Sequence, residues 1–456
     1  MAKRKKPAPS SGPAVALQIR NGEHPAITEM LKAAAEDQDP MIGLPLPALA
    51  VRYLLQSNVF PLSRLTQLRG EFSSCKSAML LEIMRWFNMY GGGGILIDTE
   101  NKNSETMMAG ILGHNPLHMQ RTFAVKVQSV EEWQMKYMGF CQQIHSANDT
   151  SMFPVCIGID SVAAVDIDRK VAQVAEDGHA SAGHPGMARN LSEFCRGALA
   201  PTLRHRPIAL VLTNHLKQEI NSMGFGPPKQ YGPGGAALEF YPTLILDMKK
   251  ISSKPVVQNG AEGTAVQITA TKNNLGAPRR QVAVNFMWYN QIIKGQDSAG
   301  NDTYMSQQYH YWDWHTASTR LLVSLQDPEN KRMPAGMDPK LPAILQQVCD
   351  LEYKHGTKNA EIPLVFSKAL GISKSEAVSE AEASLALEAN PKIVGMVQGL
   401  LGVNTYAVCD PALKYREQIT EELKKQSVTD VPEKMAAVSR TEALVPSDYD
   451  PLGQVE

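Results

Sequence analysis

Continuous apolar stretches that end in polar residues recur through the first half of the chain. Three of them span residues 95–100, 155–161 and 208–215. Helical stretches separate them, for example at 131–145 and 187–203. Apolar strands without alternation, separated by helices, are typical of a parallel sheet that is covered on both faces. The pattern therefore predicts an α/β fold with a mostly parallel central sheet flanked by helices.

The pattern changes after residue 238. β-rich segments linked by turns occupy 243–248, 265–271, 281–288 and 307–314, and we expect them to extend the sheet as antiparallel strands at one edge. From about residue 334 the chain becomes helical, with Ala- and Glu-rich segments at 374–389 and 411–425. We predict three parts: a flexible basic tail with a short helix (1–40), which could contact another copy of the chain, a core (41–325), and a separate, mostly helical C-terminal region with a flexible end (326–456).

Composition limits the partners of the chain. Its 456 residues, 43% apolar and 20% charged, suffice for a sizeable core, and the formal net charge of −1 excludes a polycation attracted to nucleic acid as a whole. Six cysteines without a C-x-x-C pair predict thiols in a reducing compartment. The chain lacks an apolar run of the roughly 18 residues that a membrane span needs, and its basic start is not followed by an apolar segment. We expect a cytoplasmic protein without membrane contact.

Residues 70–77 have the outline of a phosphate-binding loop. A glycine, four residues and a tight-turn position precede a Lys-Ser pair that opens a helix with apolar residues at helical spacing (77–89). Lys76 would reach the β and γ phosphates of ATP, and the Ser77 hydroxyl would hold Mg²⁺. One position departs from the pattern, because Cys75 stands where glycine is expected. The predicted ATP-binding residues are Gly70, Glu71, Phe72, Ser73, Ser74, Cys75, Lys76 and Ser77.

Polar residues at the ends of the apolar strands supply the other parts of an ATPase. Asp160 suits the magnesium role, although it could be an ordinary acid at a strand end. Asp98 or Glu100 could position or deprotonate the attacking water. Asn214 and His215 could sense the γ-phosphate, or they could be a capping residue and a surface histidine.

Two loops have a composition suited to a polyanion. Residues 164–189 carry Arg169, Lys170 and Arg189, and residues 216–237 form a long glycine-rich loop with cations and aromatic rings. Rings and cations suit unstacked bases and phosphates, and backbone N–H groups of glycines can approach phosphate closely. The predicted DNA-binding residues of the second loop are Lys217, Phe225, Lys229, Tyr231, Gly234 and Gly235.

Residues 58–288 together resemble the bacterial RecA family of homologous recombinases, which is related to the archaeal and eukaryotic strand-exchange proteins. The resemblance lies in segments 60–64 with 70–77, 97–100, 159–164, 188–196, 214–217 with 234–241, and 272–274 with Pro278. It implies a RecA-type P-loop ATPase core in which Glu100 is the catalytic glutamate. It also implies that Arg196 lies on the helix after the first DNA-binding loop. Lys272 would reach the ATP of a neighbouring copy and supply a transition-state cation in trans.

The sequence departs from that family at several positions. Cys75 replaces the last glycine of the loop, which predicts reduced nucleotide affinity or turnover. His215 replaces a glutamine and adds pH sensitivity. Asn274 replaces one of two trans lysines. Ser104 and Met107 replace an acid and a ring near the adenine, which puts base recognition in doubt.

The resemblance implies an ATP- and Mg²⁺-dependent recombinase. Such a protein forms helical filaments on single-stranded DNA, hydrolyses ATP in response to DNA, and exchanges strands with a homologous duplex. Two other functions remain compatible with the sequence. One is another RecA-type motor or mediator, such as a ring helicase, and the other is a DNA-binding scaffold with reduced ATPase activity, for which Cys75 is the sequence support.

Overall fold

The structure is a computed structural model. It describes residues 41–113, 119–146, 153–167, 186–204, 207–218, 230–258, 260–296, 302–326, 339–349, 384–385, 388, 391–415 and 417–418. The short helix predicted within 1–40, which the sequence places at 25–36, and the segment 374–383 lie outside these residues.

Ten strands of the described residues form one mixed sheet. Six of them are parallel, in the spatial order β10 (Leu244–Lys250), β3 (Arg64–Gly70), β7 (Ile208–His215), β6 (Val155–Asp160), β4 (Gly93–Asp98) and β5 (Thr122–Lys126). Antiparallel strands continue the sheet beyond β10 in the order β12 (Ala261–Asn273), β13 (Gln281–Gln296) and β14 (Asp302–Trp312), and β11 (Val256–Gln258) pairs with β12. The predicted fold class is confirmed.

The remaining strands are short. β1 (Ile42–Pro45) pairs with β2 (Val59–Pro61) and, in parallel, with β15 (Ala407–Val408). β8 (Lys217–Gln218) pairs with β9 (Gln230–Tyr231). Through β15, the described part of the C-terminal region adds a strand beside the start of the core.

Ten α-helices lie within the described residues, and a π-helical turn at Cys195–Leu199 joins two of them, Gly186–Phe194 and Ala200–Leu203. They are α1 (Leu49–Leu55), α2 (Lys76–Met89), α3 (Glu105–Leu112), α4 (Val130–Ser146), α5 (Gly186–Phe194), α6 (Ala200–Leu203), α7 (Ala237–Phe240), α8 (Trp314–Gln326), α9 (Leu341–Cys349) and α10 (Pro391–Leu400). None of the described helices is long and apolar enough to cross a membrane.

A buried cluster holds α4 and α5 against the parallel strands. Trp133, Tyr137 and Cys141 recur every four residues along α4 and are almost fully buried. The Phe194 ring meets Trp133 edge-on, with ring centroids 5.1 Å apart. These side chains pack against strand residues such as Ile157 and Leu210. On the opposite face, Leu80 and Met84 of the helix at Lys76–Met89 lie against Gly158. Because both faces of the parallel strands are covered, their apolar runs are continuous rather than alternating.

The strand order predicts that a ligand binds at the carboxyl ends of the parallel strands. β3 is followed in sequence by β4, but its neighbours in the sheet are β7 and β10. Ligands in open α/β sheets bind outside the carboxyl ends of strands where the chain order switches in this way. The register then brings strand ends together, because Gly70 pairs with His215 and Asp98 pairs with Asp160.

Several predicted boundaries were incomplete. Residues 41–67, where the sequence predicts a helix-like segment followed by a turn and a strand, contain β1, α1, β2 and the start of β3. β12 to β14 are longer than the β-rich segments in the sequence, and β5 was not predicted at all. β5 is a five-residue strand at the edge of the sheet, where one open side permits polar and exposed residues such as Lys126. The boundaries at 40/41 and 325/326 remain predictions.

Candidate functional site

The phosphate loop connects the end of β3 to the start of α2. Ser73 (φ 58°) and Cys75 (φ 62°, ψ 28°) both adopt left-handed backbone conformations. Cys75 therefore occupies a position that favours glycine, as the departure from the sequence pattern indicated. Burial raises the pKa of the Cys75 thiol to about 11, so the thiol is neutral at physiological pH. A neutral side chain does not repel an anion.

Close packing leaves little room at the start of the loop. A Cβ at Gly70 would lie 2.3 Å from the Met248 carbonyl oxygen and 2.5 Å from Ser74 Oγ. α2 carries no acidic residue in its first turn, so the positive end of its dipole is not neutralised by its own side chains. The loop thus presents backbone N–H groups and a helix N-terminus, which suit a phosphate group.

Lys76 is folded into this loop. Its Nζ donates to the carbonyl oxygens of Gly70 (3.0 Å) and Glu71 (2.7 Å), and it lies 3.3 Å from Ser74 Oγ. Burial lowers the pKa of Lys76 to about 8, and the nearby Lys102 adds to this effect. The ammonium group therefore lies within the loop that would receive the triphosphate. The next residue, Ser77, is half-buried on the first turn of α2.

Glu100 accepts hydrogen bonds from three side chains. Oε1 accepts from Ser161 Oγ at 2.7 Å and lies 3.1 Å from His215 Nε2, while Oε2 accepts from Lys102 Nζ at 2.6 Å. Burial alone would raise the pKa of Glu100, but the three donors outweigh burial and lower it to about 2. Its carboxylate is fully ionised and held in one orientation.

Asp98 has a structural role in the turn after β4. From the sequence alone, Asp98 and Glu100 were alternatives for the residue that positions the attacking water. Its Oδ1 accepts from the backbone N–H groups of Glu100 (3.1 Å) and Asn101 (2.8 Å), and its Oδ2 accepts from that of Asn103 (3.0 Å). These bonds fix the turn after β4. Asp98 therefore organises the backbone that carries Glu100.

Asp160 is fully buried at the end of β6. Oδ1 accepts from Thr213 Oγ1 at 2.6 Å, and Oδ2 accepts from Asn103 Nδ2 at 3.2 Å. No group of three or more His, Cys, Asp or Glu side chains within the described residues could hold a metal ion by itself. A single carboxylate nevertheless suits Mg²⁺, which binds through one or two carboxylates, usually keeps waters and takes further ligands from substrate phosphates.

Lys102 is a site residue that the sequence reasoning missed. Its ammonium group forms the 2.6 Å ion pair with Glu100 and lies 3.7 Å from Asp160 Oδ2. The sequence carried one signal for this role, because Lys102 lies only two residues after Glu100 in the segment that follows Asp98.

His215 links the phosphate loop to Glu100. Besides its contact with Glu100, its ring stacks on the exposed Phe72 ring, with centroids 4.6 Å apart and planes at 27°. Burial and the charge of Lys76 lower the pKa of His215 below its ordinary value. The imidazole is therefore neutral near pH 7.

Asn214 connects the same strand end to the second loop. Its Nδ2 donates to the Pro233 carbonyl oxygen at 2.8 Å, while its fully buried Oδ1 has no hydrogen-bond partner among the described residues. Gly234 (φ 102°) then reverses the chain, and Gly235 (φ 71°) follows it. The β8–β9 pair, which contains Lys217 and Tyr231, forms the base of this loop. The strand end and the loop are therefore in direct contact.

The predicted DNA-binding residues are only partly described. Arg189 is exposed on α5 and pairs with Glu193 at 2.9 Å, and Arg196 is exposed in the π-helical turn. Arg169, Lys170, Phe225 and Lys229 lie outside the described residues.

Lys272 lies on β12, in the antiparallel part of the sheet. Its Nζ donates to the backbone carbonyl oxygens of Glu239 and Phe240 at the end of α7. β12 pairs with β10 so that Lys272 is opposite Ile245, which in turn pairs with Gln67 in the middle of β3 rather than at its loop end. The described contacts of Lys272 do not include the phosphate loop of the same chain.

Arg69, also missed by sequence reasoning, joins three elements beside the loop. It forms a two-pronged pair with Asp247 on β10 (2.7 and 3.0 Å) and donates to Glu239 on α7 at 2.6 Å. The network connects the strand that carries the phosphate loop to the helix that follows the second loop.

Comparison with known proteins places these features in a family. The family described as RecA N-terminal domain matches residues 28–293. The chain is 28% identical over 231 residues to Protein RecA of Caldanaerobacter subterraneus, a match that covers 50% of this chain and 61% of the relative. It is 26% identical over 238 residues to Protein RecA of Thermus thermophilus, covering 52% and 64%. It is 24% identical over 259 residues to Protein RecA of Nautilia profundicola, a match that covers 57% of this chain and 69% of the relative.

Proposed function

This chain belongs to the RecA family, and on that premise we propose that it is a DNA-dependent ATPase. In this proposal it forms helical filaments on single-stranded DNA and exchanges strands with a homologous duplex. The observation that carries the proposal is the pair of contacts at the end of β7. His215 contacts Glu100 in the candidate nucleotide site, and the adjacent Asn214 holds Pro233 at the edge of the second loop. Nucleotide and DNA would thus act on neighbouring residues of one strand.

The phosphate loop would bind ATP through its backbone N–H groups and Lys76. Ser77 and Asp160 would hold Mg²⁺, which neutralises phosphate charge when bound. Glu100 would orient the attacking water. A general base works best with a pKa near the operating pH, and the pKa of Glu100 is about 2. Hydrogen-bond orientation of water therefore suits this carboxylate better than proton storage.

DNA would bind along the two loops and α5. Because the net charge of the chain is −1, attraction to phosphates has to come from local cations such as Arg189 and Arg196, which are exposed. Arg189 follows Ala188, which Gly235 of the second loop approaches closely. Lys272 would act on the nucleotide of a neighbouring copy, which is consistent with its distance in register from the loop of its own chain.

The test is ATP hydrolysis by the full chain with and without single-stranded DNA, together with electron microscopy in the presence of a slowly hydrolysed ATP analogue. We expect DNA to stimulate hydrolysis and filaments to form on DNA. Lys76→Ala is the negative control, because it removes the cation of the phosphate loop.

Three results would contradict the proposal. Closed hexamers that unwind duplexes in one direction would favour a ring helicase. A DNA-binding scaffold would be favoured if DNA binds without stimulating hydrolysis and if Lys76→Ala leaves that DNA binding unchanged. Nucleotide hydrolysis that ignores DNA would remove the proposed connection through Asn214 and His215.

A further inference from the structure

Lys102 places an ammonium group between two carboxylates of the candidate nucleotide site. Nζ is 2.6 Å from Glu100 Oε2 and 3.7 Å from Asp160 Oδ2. Glu100 is the residue that would orient water, and Asp160 is the residue that would hold Mg²⁺. One side chain of the chain itself therefore contacts both.

The backbone of Lys102 is held in place by its neighbours in sequence. The residues before and after it, Asn101 and Asn103, donate backbone N–H groups to Asp98. The Asn103 side chain also donates to Asp160 Oδ2 at 3.2 Å. The turn is thus tied to β4 at one end and to β6 at the other, so the backbone of Lys102 is held in place.

The three donors of Glu100 divide its two oxygens. Ser161 and His215 both contact Oε1, and Lys102 contacts Oε2. Among these donors Lys102 alone contributes a full positive charge, since His215 is neutral near pH 7. Of the three donors, Lys102 is therefore the one that anchors Oε2.

We propose that Lys102 is a positioning residue of the nucleotide site, a cation supplied in cis that holds Glu100 and shares the charge of Asp160 with the divalent metal. The proposal rests on the proposed ATPase function and adds a source of charge from within the same chain. Two consequences follow. Removing the ammonium group should strengthen divalent-metal binding, because the metal no longer competes with it for Asp160. It should also slow the chemical step, because Glu100 loses one of its three anchors.

The test compares Lys102→Gln and Lys102→Arg with the unaltered chain in two measurements. The first is binding of a fluorescent, slowly hydrolysed ATP analogue as Mg²⁺ is titrated, without DNA and without turnover. The second is ATP hydrolysis in the presence of single-stranded DNA. Lys254→Gln is the matched control, because Lys254 is an exposed lysine in the turn between β10 and β11.

For Lys102→Gln we expect the half-saturating Mg²⁺ concentration to fall by about threefold to tenfold. We expect kcat to fall about tenfold with little change in KM. Lys102→Arg should keep the Mg²⁺ dependence of the unaltered chain, because it retains the charge. A purely structural role would not move the metal titration towards lower concentration.

The inference is overturned if Lys102→Gln follows Lys254→Gln in both measurements, or if it weakens Mg²⁺-dependent binding. Failure of the proposed function has a different signature, because single-stranded DNA would then not stimulate ATP hydrolysis by the unaltered chain, whatever the Mg²⁺ titration of Lys102→Gln shows.

Discussion

The parallel and antiparallel halves of the sheet leave their polar side chains in different places. In the parallel half, the strands all end at the same edge, so His215 Nε2 lies 3.1 Å from Glu100 Oε1, and Glu100 and Asp160 share Lys102 as an ionic partner. In the antiparallel half, strand ends alternate, and the described hydrogen bonds of Lys272 go to carbonyl oxygens at the end of α7. One half assembles the candidate site within the chain, whereas in our proposal Lys272 of the other half acts on the nucleotide of a second copy.

The largest expected effect is at the parallel edge. Glu100→Gln should reduce ATP turnover about 100-fold or more, while binding of a slowly hydrolysed ATP analogue is preserved, because the loop and Lys76 are unaltered. Glu105→Gln is the control, since Glu105 is exposed in the first turn of α3. Equal turnover by the two variants would show that the parallel edge does not carry the chemistry.

The next effect sharpens the contrast between the halves. Lys272→Ala should lower DNA-stimulated turnover about tenfold or more, by the loss of a transition-state cation. Mixing Lys272→Ala with Glu100→Gln should restore part of the activity, because some sites then combine an intact Glu100 with an intact Lys272 from another copy. If the mixture is no more active than the sum of its parts, Lys272 does not act in trans.

A smaller effect concerns pH. Folding lowers the pKa of His215, so the folded chain favours the neutral ring. The contribution of His215 to the free energy of unfolding is therefore fully present above its ordinary pKa of about 6.5, and it is lost as the pH falls through the lower pKa of the folded chain. We expect the turnover of the unaltered chain to fall on acidification below about pH 6.5, and that of His215→Gln to fall less. The readout is the difference between the two pH profiles, and parallel profiles would contradict the prediction.

The smallest effect is at Cys75. Cys75→Gly relieves the left-handed strain but adds freedom to the unfolded chain, so the free energy of unfolding should rise by no more than about 1 kcal/mol. ATP binding should be retained or tightened. The comparison is Cys141→Gly, which should destabilise the chain, because Cys141 is buried within α4. Loss of nucleotide binding in Cys75→Gly would contradict the phosphate-loop assignment.

Local patterns predicted much of the fold. The helix expected at 131–145 spans Val130–Ser146, and the one expected at 187–203 spans 186–203 with a π-helical turn. The strand expected at 208–215 is Ile208–His215. These elements are long and bury apolar residues with a clear period, which is the strongest signal that a single sequence carries. β5 was not predicted, because it is short and lies at the edge of the sheet, where its residues do not show a clear apolar pattern.

The sequence by itself determined which residues could form a nucleotide site: the loop 70–77, the acids at the carboxyl ends of β4 and β6, and the polar pair that ends β7. Only the tertiary structure decided their partners. Asp98 organises a turn, Lys102 joins Glu100 to Asp160, and Lys272 lies apart from the phosphate loop. The physical reason is that residue types and spacing specify local backbone and burial, whereas contacts between strand ends depend on strand order and register, which arise only when the whole sheet packs.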